Sequence, residues 1–486
     1  MKLTIQIIRV AVLSMLVGSA GADINRIELP DLGDPAESAL SISKEREIGL
    51  EIMQQIRSQH VTVDDLIVYE YINSIGHQLV SNADSALHDF SFFVINDQSI
   101  NAFALPGGYI GVNAGLISTT EDESELAAVL AHEISHVTQR HIARAFFHNE
   151  TMQAPFIAAM IAGILLGGEA AKAAVAASMA GSAQSQINFT RKNEYEADRV
   201  GIDLLGRSGY DAYSMASLFD KMHRQSRLYG GAPPEFLSTH PVHGSRIADA
   251  KARAGKYPLS QRSNSEQYRI VKARLRVIMD GNPTKVSNDL SRMLQEKRSA
   301  DEVADRYALV YALMEAGKLQ EAMAESDLII NKSQLATYIQ LQRAELEMRS
   351  GQDKQAEQRM NQLKKIQPDN HVVVMEHARM KIQMGQASQA RALLEDYLAF
   401  RQGDPNVYRL LSHASNASGD IVKSHTYMAE YNLIVGDVSG AIGHLEAALR
   451  NPITSYHEEA AIRAKLKSLR EQSDKPGYGE PGKTKN

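Results

Sequence analysis

The stretch LAAVLAHEISHV, residues 126–137, is apolar on most sides of a helical wheel and ends in the motif HEISH. A helix that is so strongly apolar is buried, so this stretch predicts a buried helix. We expect the helix to run from Glu123 to Phe147, with Thr120 or Asp122 as its N-cap. The polar side chains that it buries need partners, which the rest of the domain must supply.

The two histidines of this motif indicate a metal site. His132 and His136 are four residues apart, which places both imidazoles on one face of the helix, where they can share one ion. Glu133 lies beside them and is placed to take a proton from water, whose pKa zinc lowers towards ~7. The alternative is a helix with two surface histidines, which the apolar surroundings oppose.

A second motif, NEYEAD at residues 193–198, offers the carboxylate that such a site needs. Glu194 and Asp198 are also four residues apart and share a helix face. Zinc enzymes with two histidines and one glutamate leave the fourth position open for water. We expect Glu194 to be the third ligand and Asp198 to accept a hydrogen bond from a liganding histidine. Glu196, on a different face, is the competing ligand.

The residues that follow the first motif exclude one class of zinc peptidase. Metzincins need a glycine and a third histidine at fixed distances after His136. Gln139 and Ile142 occupy those two positions, and His141 lies one residue short of the second. The metzincin alternative therefore fails.

The segments around these motifs show both helical and strand patterns. Apolar residues recur at helical spacing from Ser43 to about Asn82. The segment NAFALPGGYIGVNAGLI, residues 101–117, predicts two strands joined by a turn at residues 106–108. This mixture predicts an α+β domain over residues 23–262 that is mostly helical with a small β-sheet. A sheet edge between Phe103 and Val112 is expected to pair with an extended peptide.

The second half of the chain has no strand pattern and contains an internal repeat. Glycine recurs every 34 residues, and a small residue follows each glycine by five positions. These two columns are Gly317, Gly351, Gly385 and Gly419, and Ala322, Ala356, Ala390 and Ser424. A 34-residue period, with small residues where helices cross, is typical of tetratricopeptide repeats. We predict an all-α repeat solenoid over residues 263–472, whose concave face holds other proteins, and a disordered tail over 473–486.

The N-terminus has the features of a secretory signal peptide over residues 1–22. Lys2 and Arg9 flank a short apolar start, Val10–Val17 is apolar, and Ala20 and Ala22 form the A-x-A arrangement that signal peptidase accepts. The apolar stretch is shorter than the ~18–20 residues of a membrane span, which opposes a membrane anchor. With no cysteine, the chain fits a bacterial periplasmic protein without disulfides. The net charge of -6 does not suggest nucleic-acid binding.

HEISH, NEYEAD and the upstream NAFALPGGYIGV together resemble the HtpX and prenyl-protein-endopeptidase family of gluzincin metallopeptidases. The resemblance implies one zinc ion per chain, with His132, His136 and Glu194 as ligands. It also implies that Glu133 is the catalytic base and that Asp198 is a proton donor. The hydrogen bond expected between Asp198 and a liganding histidine favours an orienting role, so the sequence predicts two alternative roles for Asp198.

The segment LSTHP, residues 237–241, also matches that family. The resemblance implies that His240 occupies the remaining zinc position and keeps the enzyme latent until its loop swings away. Arg246 matches a nearby family arginine that stabilises the oxyanion. His243 follows the segment directly and is a further candidate for metal contact.

Family members that combine a signal peptide, this peptidase domain and a repeat array imply a function in outer-membrane assembly. The resemblance implies a periplasmic endopeptidase with chaperone-like activity that degrades misassembled β-barrel proteins, including the lipopolysaccharide-export barrel. Its repeats would bind the BAM assembly complex. The alternative is a non-proteolytic chaperone or scaffold with a structural or latent metal site. The apolar segment Phe156–Ala180 is expected to form a mobile amphipathic hairpin that touches unfolded clients or a membrane surface, and the alternative is a buried helix.

Overall fold

The structure is a computed structural model that describes residues 40–84, 89–148, 183–228, 235–260, 262–331, 336–452 and 455–473. The predicted signal peptide, the segment Phe156–Ala180 and residues 474–486 of the predicted tail lie outside these ranges. The domain boundary expected at residues 262 and 263 stays a prediction.

The first part of the chain forms helices around a three-stranded sheet. Helices α1 (Ile42–Ser58) and α2 (Leu66–Val80) precede strands β1 (Ser91–Ile95), β2 (Ala102–Leu105) and β3 (Tyr109–Asn113). The strand order is β1-β3-β2, with β1 parallel and β2 antiparallel to β3. The helices that follow are α3 (Ala114–Thr119), α4 (Glu123–Thr138), α5 (His141–His148), α6 (Ala183–Arg207), α7 (Tyr213–Leu228), α8 (Glu235–Thr239) and α9 (Gly244–Ala254).

The turn between β2 and β3 lies where it was predicted. Residues Pro106–Gly108 form a single 3-10 turn, and Gly107 has a φ of 78°, a conformation that side chains with a Cβ rarely adopt. The expected sheet edge is only partly right. Strand β3 pairs on both sides, so within the range from Phe103 to Val112 only β2 is an edge strand.

The expectation of one helix from Glu123 to Phe147 is wrong at its C-terminal end. Helix α4 ends at Thr138, and α5 begins three residues later. Arg140 between them has a φ of 54°, which interrupts the helix. Its guanidinium is buried and donates to Glu45 Oε1 at 3.0 Å, so a distant contact holds the turn in place. At the N-terminal end, the Asp122 carboxylate caps the helix as predicted.

Helix α4 is the centre of the first domain. Nearly all of its side chains are buried, as its apolar sequence predicts. Helix α6 crosses it closely at Gly201, where a Cβ would lie 3.2 Å from the carbonyl oxygen of Ala131. The absence of a side chain at Gly201 therefore lets the two motif-bearing helices approach each other.

The second half of the chain is a series of antiparallel helix pairs. Its helices are α10 (Glu266–Asp280), α11 (Pro283–Gln295), α12 (Glu302–Glu315), α13 (Leu319–Asp327), α14 (Ala336–Arg349), α15 (Asp353–Ile366), α16 (His371–Gln383), α17 (Ala387–Leu398), α18 (Pro405–Ala417), α19 (Ile421–Ile434), α20 (Val438–Leu449) and α21 (Tyr456–Ser473). Helix α19 packs against both α18 and α20. The predicted combination of an α+β domain and an all-α repeat array is confirmed.

The repeated glycines and small residues have separate structural roles. The four glycines that recur every 34 residues have φ values between 73° and 82°, and a Cβ on any of them would meet nothing within 4 Å. They are needed for the left-handed turn, not for close packing. Ala322, Ala356 and Ala390 are fully buried at helix crossings, while Ser424 is half-buried.

The repeat array is docked against the first domain. Helices α10 and α16 both pack on α2. Arg274 of α10 donates to Asp65 Oδ2 at 2.8 Å, and Arg401 donates to Glu70 Oε1 at 2.8 Å. Gly436 lies so close to α1 that a Cβ there would be 2.8 Å from Leu50 Cδ2. Part of the repeat surface therefore holds the first domain.

Within the described ranges, no helix has both the length and the apolarity that crossing a membrane requires.

Candidate active site

Four side chains from three separate segments converge between α4 and α6. His132 and His136 come from α4, Glu194 from α6, and His240 from the residue that follows α8. Each offers one ligand atom, and these atoms all lie within 4.8 Å of one another. Residues that are far apart in the sequence thus form one compact cluster of nitrogen and oxygen donors.

The distances inside this cluster show which atoms face its centre. His132 Nε2 lies 3.1 Å from His136 Nε2 and 3.3 Å from His240 Nδ1. Glu194 Oε1 lies 3.0 Å from His240 Nδ1 and 3.5 Å from His136 Nε2. The Nε2 atoms of the α4 histidines therefore point inward, and their Nδ1 atoms point outward.

Glu133 lies at the edge of the cluster and is buried. The main-chain N–H of Ala104, in the edge strand β2, donates to its carboxylate. Its Oε1 has no hydrogen-bond partner among the residues that the structure describes, and His240 Nε2 is 3.5 Å away. Burial raises the pKa of Glu133, although the neighbouring His240 and His132 oppose this rise. A carboxylate with a free oxygen and a raised pKa is suited to accept a proton.

Asp198 holds the outward side of His132. Its Oδ1 lies 3.0 Å from His132 Nδ1, which is the contact expected for an orienting carboxylate. Burial alone would raise the pKa of Asp198, but the hydrogen bonds from His132 and Arg246 outweigh it and lower the pKa. A proton donor must be protonated, so this geometry favours the orienting role over the proton-donor role, and the latter stays a prediction.

Arg246 connects α9 to two acidic residues of the site, Asp198 and Glu194. It is fully buried and donates to Asp198 through Nε at 2.7 Å and through Nη2 at 2.8 Å. Its Nη1 donates to the Pro241 carbonyl oxygen at 2.8 Å and lies 2.9 Å from Glu194 Oε2. Most of its N–H groups are therefore engaged within the site. The oxyanion role stays a prediction, and the contacts seen here are those of a positioning residue.

The loop that carries His240 is held by short-range contacts. The main-chain N–H of His240 donates to the Phe236 carbonyl oxygen at 2.7 Å, and the rings of these two residues are 4.8 Å apart. The N–H of Phe236 donates to the Ile100 carbonyl oxygen at 3.0 Å, directly before β2. These contacts aim the imidazole into the cluster.

The charges of the cluster suit a cation. Burial lowers the pKa of His132, but the carboxylates of Asp198 and Glu194 outweigh it and raise the pKa to about 10. Burial also keeps the pKa of His136 well below its usual value, which leaves this imidazole neutral. Burial would raise the pKa of Glu194, but the surrounding histidines hold it well below its usual value. The carboxylates that favour a proton on His132 would equally favour a metal cation in its place, and imidazole and carboxylate groups are typical divalent-metal ligands.

The structure distinguishes the alternative ligands. Glu196 lies outside the cluster and contacts His141 and Arg144 instead. His243 is exposed at the N-terminus of α9 and is not among the four converging residues. The sequence did not predict the contact of His141 with His136, the hydrogen bond from the Ala104 N–H to Glu133, or the packing of Phe236 against His240. Each of them depends on packing between segments that are distant in the sequence.

Comparison with known proteins agrees with this geometry. Residues 68–254 match peptidase family M48. The β-barrel assembly-enhancing protease of Escherichia coli (strain K12) is 34% identical over 454 residues, which covers 92% of each chain. The protein of the same name from Yersinia pestis is 32% identical over 451 residues, again 92% of each chain.

The chain belongs to peptidase family M48. The predicted family resemblance is confirmed, and the M48 peptidase described here is a metalloendopeptidase. The mitochondrial metalloendopeptidase OMA1 of Arabidopsis thaliana is a more distant relative, 27% identical over 179 residues, or 35% of this chain and 32% of that protein. Among solved structures, the TPR domain of P58(IPK) aligns with 73% of this M48 peptidase and 99% of its own chain at 14% identity, but the TM-score of 0.15 is too low to bear on the fold.

Proposed function

We propose that this M48 peptidase is a periplasmic zinc endopeptidase that acts on unfolded or stalled outer-membrane β-barrel proteins, and that it also assists their assembly. The observation that carries the proposal is the convergence of His132, His136 and Glu194 beside Glu133, whose Oε1 accepts no hydrogen bond from any described residue. A structural metal site has no use for such a base.

The residues present fit a zinc ion. His132, His136 and Glu194 would hold it, and Asp198 would keep His132 oriented. Zinc supplies Lewis acidity, which polarises the scissile carbonyl and acidifies water. Glu133 then takes the proton from the attacking water and passes it to the nitrogen of the leaving peptide. Burial raises the pKa of Glu133, which favours its acceptance of a proton.

Strand β2 supplies a binding edge for an extended substrate. Its inner side pairs with β3, and no other strand within the described residues pairs with its outer side. The Ala104 N–H donates to Glu133, which places this strand beside the proposed base. A peptide that adds to a sheet edge is held by main-chain hydrogen bonds and is extended. Such binding selects unfolded or incompletely paired chains, because a folded β-barrel has no free strand edge.

The similarity to β-barrel assembly-enhancing proteases supports β-barrel proteins as the substrate class. The proposal extends this class to outer-membrane barrels, including the lipopolysaccharide-export barrel, on the family resemblance of the sequence motifs. The predicted signal peptide and the lack of cysteine support a periplasmic location. The repeat array is the proposed contact for the BAM complex, since repeat surfaces of this kind bind proteins. Release of the protein by mild osmotic shock would support this location, and retention with the membranes would contradict it.

The Glu133→Gln variant tests whether Glu133 is the catalytic base. Because His240 lies in the cluster, the comparison is best made in a His240→Ala background, with an unfolded outer-membrane barrel protein as substrate. We expect Glu133→Gln to slow cleavage by a factor of about 10²–10⁴ while metal content and substrate binding stay the same. Unchanged cleavage would refute Glu133 as the base. Absence of cleavage in the His240→Ala parent would instead favour the chaperone or scaffold alternative with a structural metal.

A further inference from the structure

We propose that His141 and Glu196 form a relay that fixes the orientation and the tautomer of His136. This inference rests on the metal centre of the proposed function. His141 is a positioning residue here, since it does not face the centre of the cluster.

The relay is a continuous chain of short contacts. His136 Nδ1 lies 2.9 Å from His141 Nδ1, and the two rings are 4.8 Å apart at an interplanar angle of 80°. On its other side, His141 Nε2 lies 3.3 Å from Glu196 Oε2. Arg144 donates to the same oxygen at 2.9 Å. The relay therefore runs from the cluster through the His141 imidazole to the Glu196 carboxylate, which Arg144 holds in place.

The proton positions in this chain are restricted by the ligand role of His136. A neutral imidazole carries one N–H, and His136 Nε2 must keep its lone pair if it is to bind a cation. The proton then resides on Nδ1 and is donated to His141 Nδ1. His141 must consequently carry its own proton on Nε2, which donates to Glu196. One tautomer of each histidine satisfies both contacts and leaves the inward nitrogen of His136 free for metal.

The fold builds this arrangement. His141 is the first residue of α5, directly after Arg140, whose left-handed backbone ends α4 and turns the chain back towards His136. Ala143, two residues after His141 in α5, is fully buried in a cluster with residues of α1. His141 itself is buried. A regular continuation of α4 would carry residue 141 away from residue 136, so the break in the helix creates the contact.

The two liganding histidines of α4 thus receive different support. Asp198 contacts His132 directly, whereas the carboxylate that supports His136 acts through a second imidazole. Partners that orient a metal-binding histidine typically change metal affinity by about 10–100-fold when they are removed. The alternative to the relay is that His141 only fills space between α4 and α6.

The test is the Zn²⁺ affinity of the full chain, measured by competition with a chromophoric chelator. His141→Phe keeps a ring of similar shape and removes both nitrogens, and Glu196→Gln keeps the shape and removes the charge. We expect His141→Phe to weaken Zn²⁺ binding by about 10–100-fold and Glu196→Gln to weaken it measurably. The double variant should bind Zn²⁺ no more weakly than His141→Phe, because both substitutions interrupt the same relay.

Two controls give each outcome a meaning. His413→Phe makes the same substitution at an exposed position in α18 and should leave the affinity unchanged. His132→Ala should abolish tight binding. If His141→Phe and Glu196→Gln both stay within twofold of the wild type while His132→Ala loses zinc, the relay is refuted and the metal centre stands. If the wild type binds zinc no better than His132→Ala, the metal centre and the relay both fall. Should His141→Phe fail to fold, the more exposed Glu196→Gln decides alone.

Discussion

His240 Nδ1 lies 3.0 Å from Glu194 Oε1, so the loop histidine contacts the predicted third ligand directly. Its other nitrogen lies 3.5 Å from Glu133 Oε1. One imidazole therefore occupies both the position expected for water and the approach to the base. This placement agrees with a latent enzyme whose loop must move before a substrate enters.

Replacing His240→Ala should increase proteolysis of an unfolded barrel protein by at least about tenfold, because it frees the metal and the base together. His243→Ala is a matched control, since His243 is exposed in the same loop and lies outside the cluster. The rate of substrate cleavage by purified protein is the measurement. An unchanged or lower rate in His240→Ala would show that His240 is not inhibitory.

Removal of the metal should destabilise the peptidase domain. The cluster brings together the carboxylates of Glu194 and Asp198 in a buried space, and a bound cation stabilises the folded state by mass action. A strong chelator should lower the melting temperature of the wild type by roughly 5–10 °C. Glu133→Gln should show the same shift, whereas His132→Ala should show little or none. A shift of equal size in His132→Ala would mean that the chelator acts elsewhere.

The Arg246→Ala variant distinguishes a positioning role of this arginine from an oxyanion role. Loss of its buried contacts with Asp198 and Glu194 leaves uncompensated negative charge and should destabilise the fold by about 3–5 kcal/mol. A residue that acts only on the oxyanion would instead reduce the rate of cleavage with little change in stability. Urea unfolding and cleavage rates measured on the same variant distinguish the two, and a fully stable but inactive protein would contradict the positioning role.

The contact between the repeat array and the first domain can be tested at Asp65. Its Oδ1 caps α2 by accepting from the Val68 N–H at 3.0 Å, while Oδ2 accepts from Arg274 at 2.8 Å. Asp65→Ser retains a capping oxygen and loses the ion pair, whereas Asp65→Ala loses both. We expect Asp65→Ser to cost about 3 kcal/mol of stability and Asp65→Ala about 1 kcal/mol more.

Denaturant unfolding measures both values. If Asp65→Ser is as stable as the wild type, then the buried pair with Arg274 does not hold the two domains together. If Asp65→Ala and Asp65→Ser are equally stable, the cap at α2 contributes nothing measurable.

Much of this protein could be predicted from short stretches of sequence. The spacing of His132 and His136, and of Glu194 and Asp198, places each pair on one helix face because the helical period is a local property. The 34-residue recurrence of glycine likewise predicts the repeat array, since each helix pair contacts mainly its neighbours. These features depend on backbone geometry over a few turns, and the structure contains them.

Other features depend on which surfaces meet, and periodicity carries no information about that. The approach of α6 to α4 requires Gly201 to face Ala131, and the docking of the repeats requires Gly436 to face Leu50. Helix α4 ends at Thr138, and the turn that follows it is held by Arg140, whose side chain reaches Glu45, 95 residues earlier in the chain. The contact of His141 with His136 follows from that break. Packing between residues far apart in the chain therefore determines the geometry around the metal ligands, while local helix geometry determines which ligands are available.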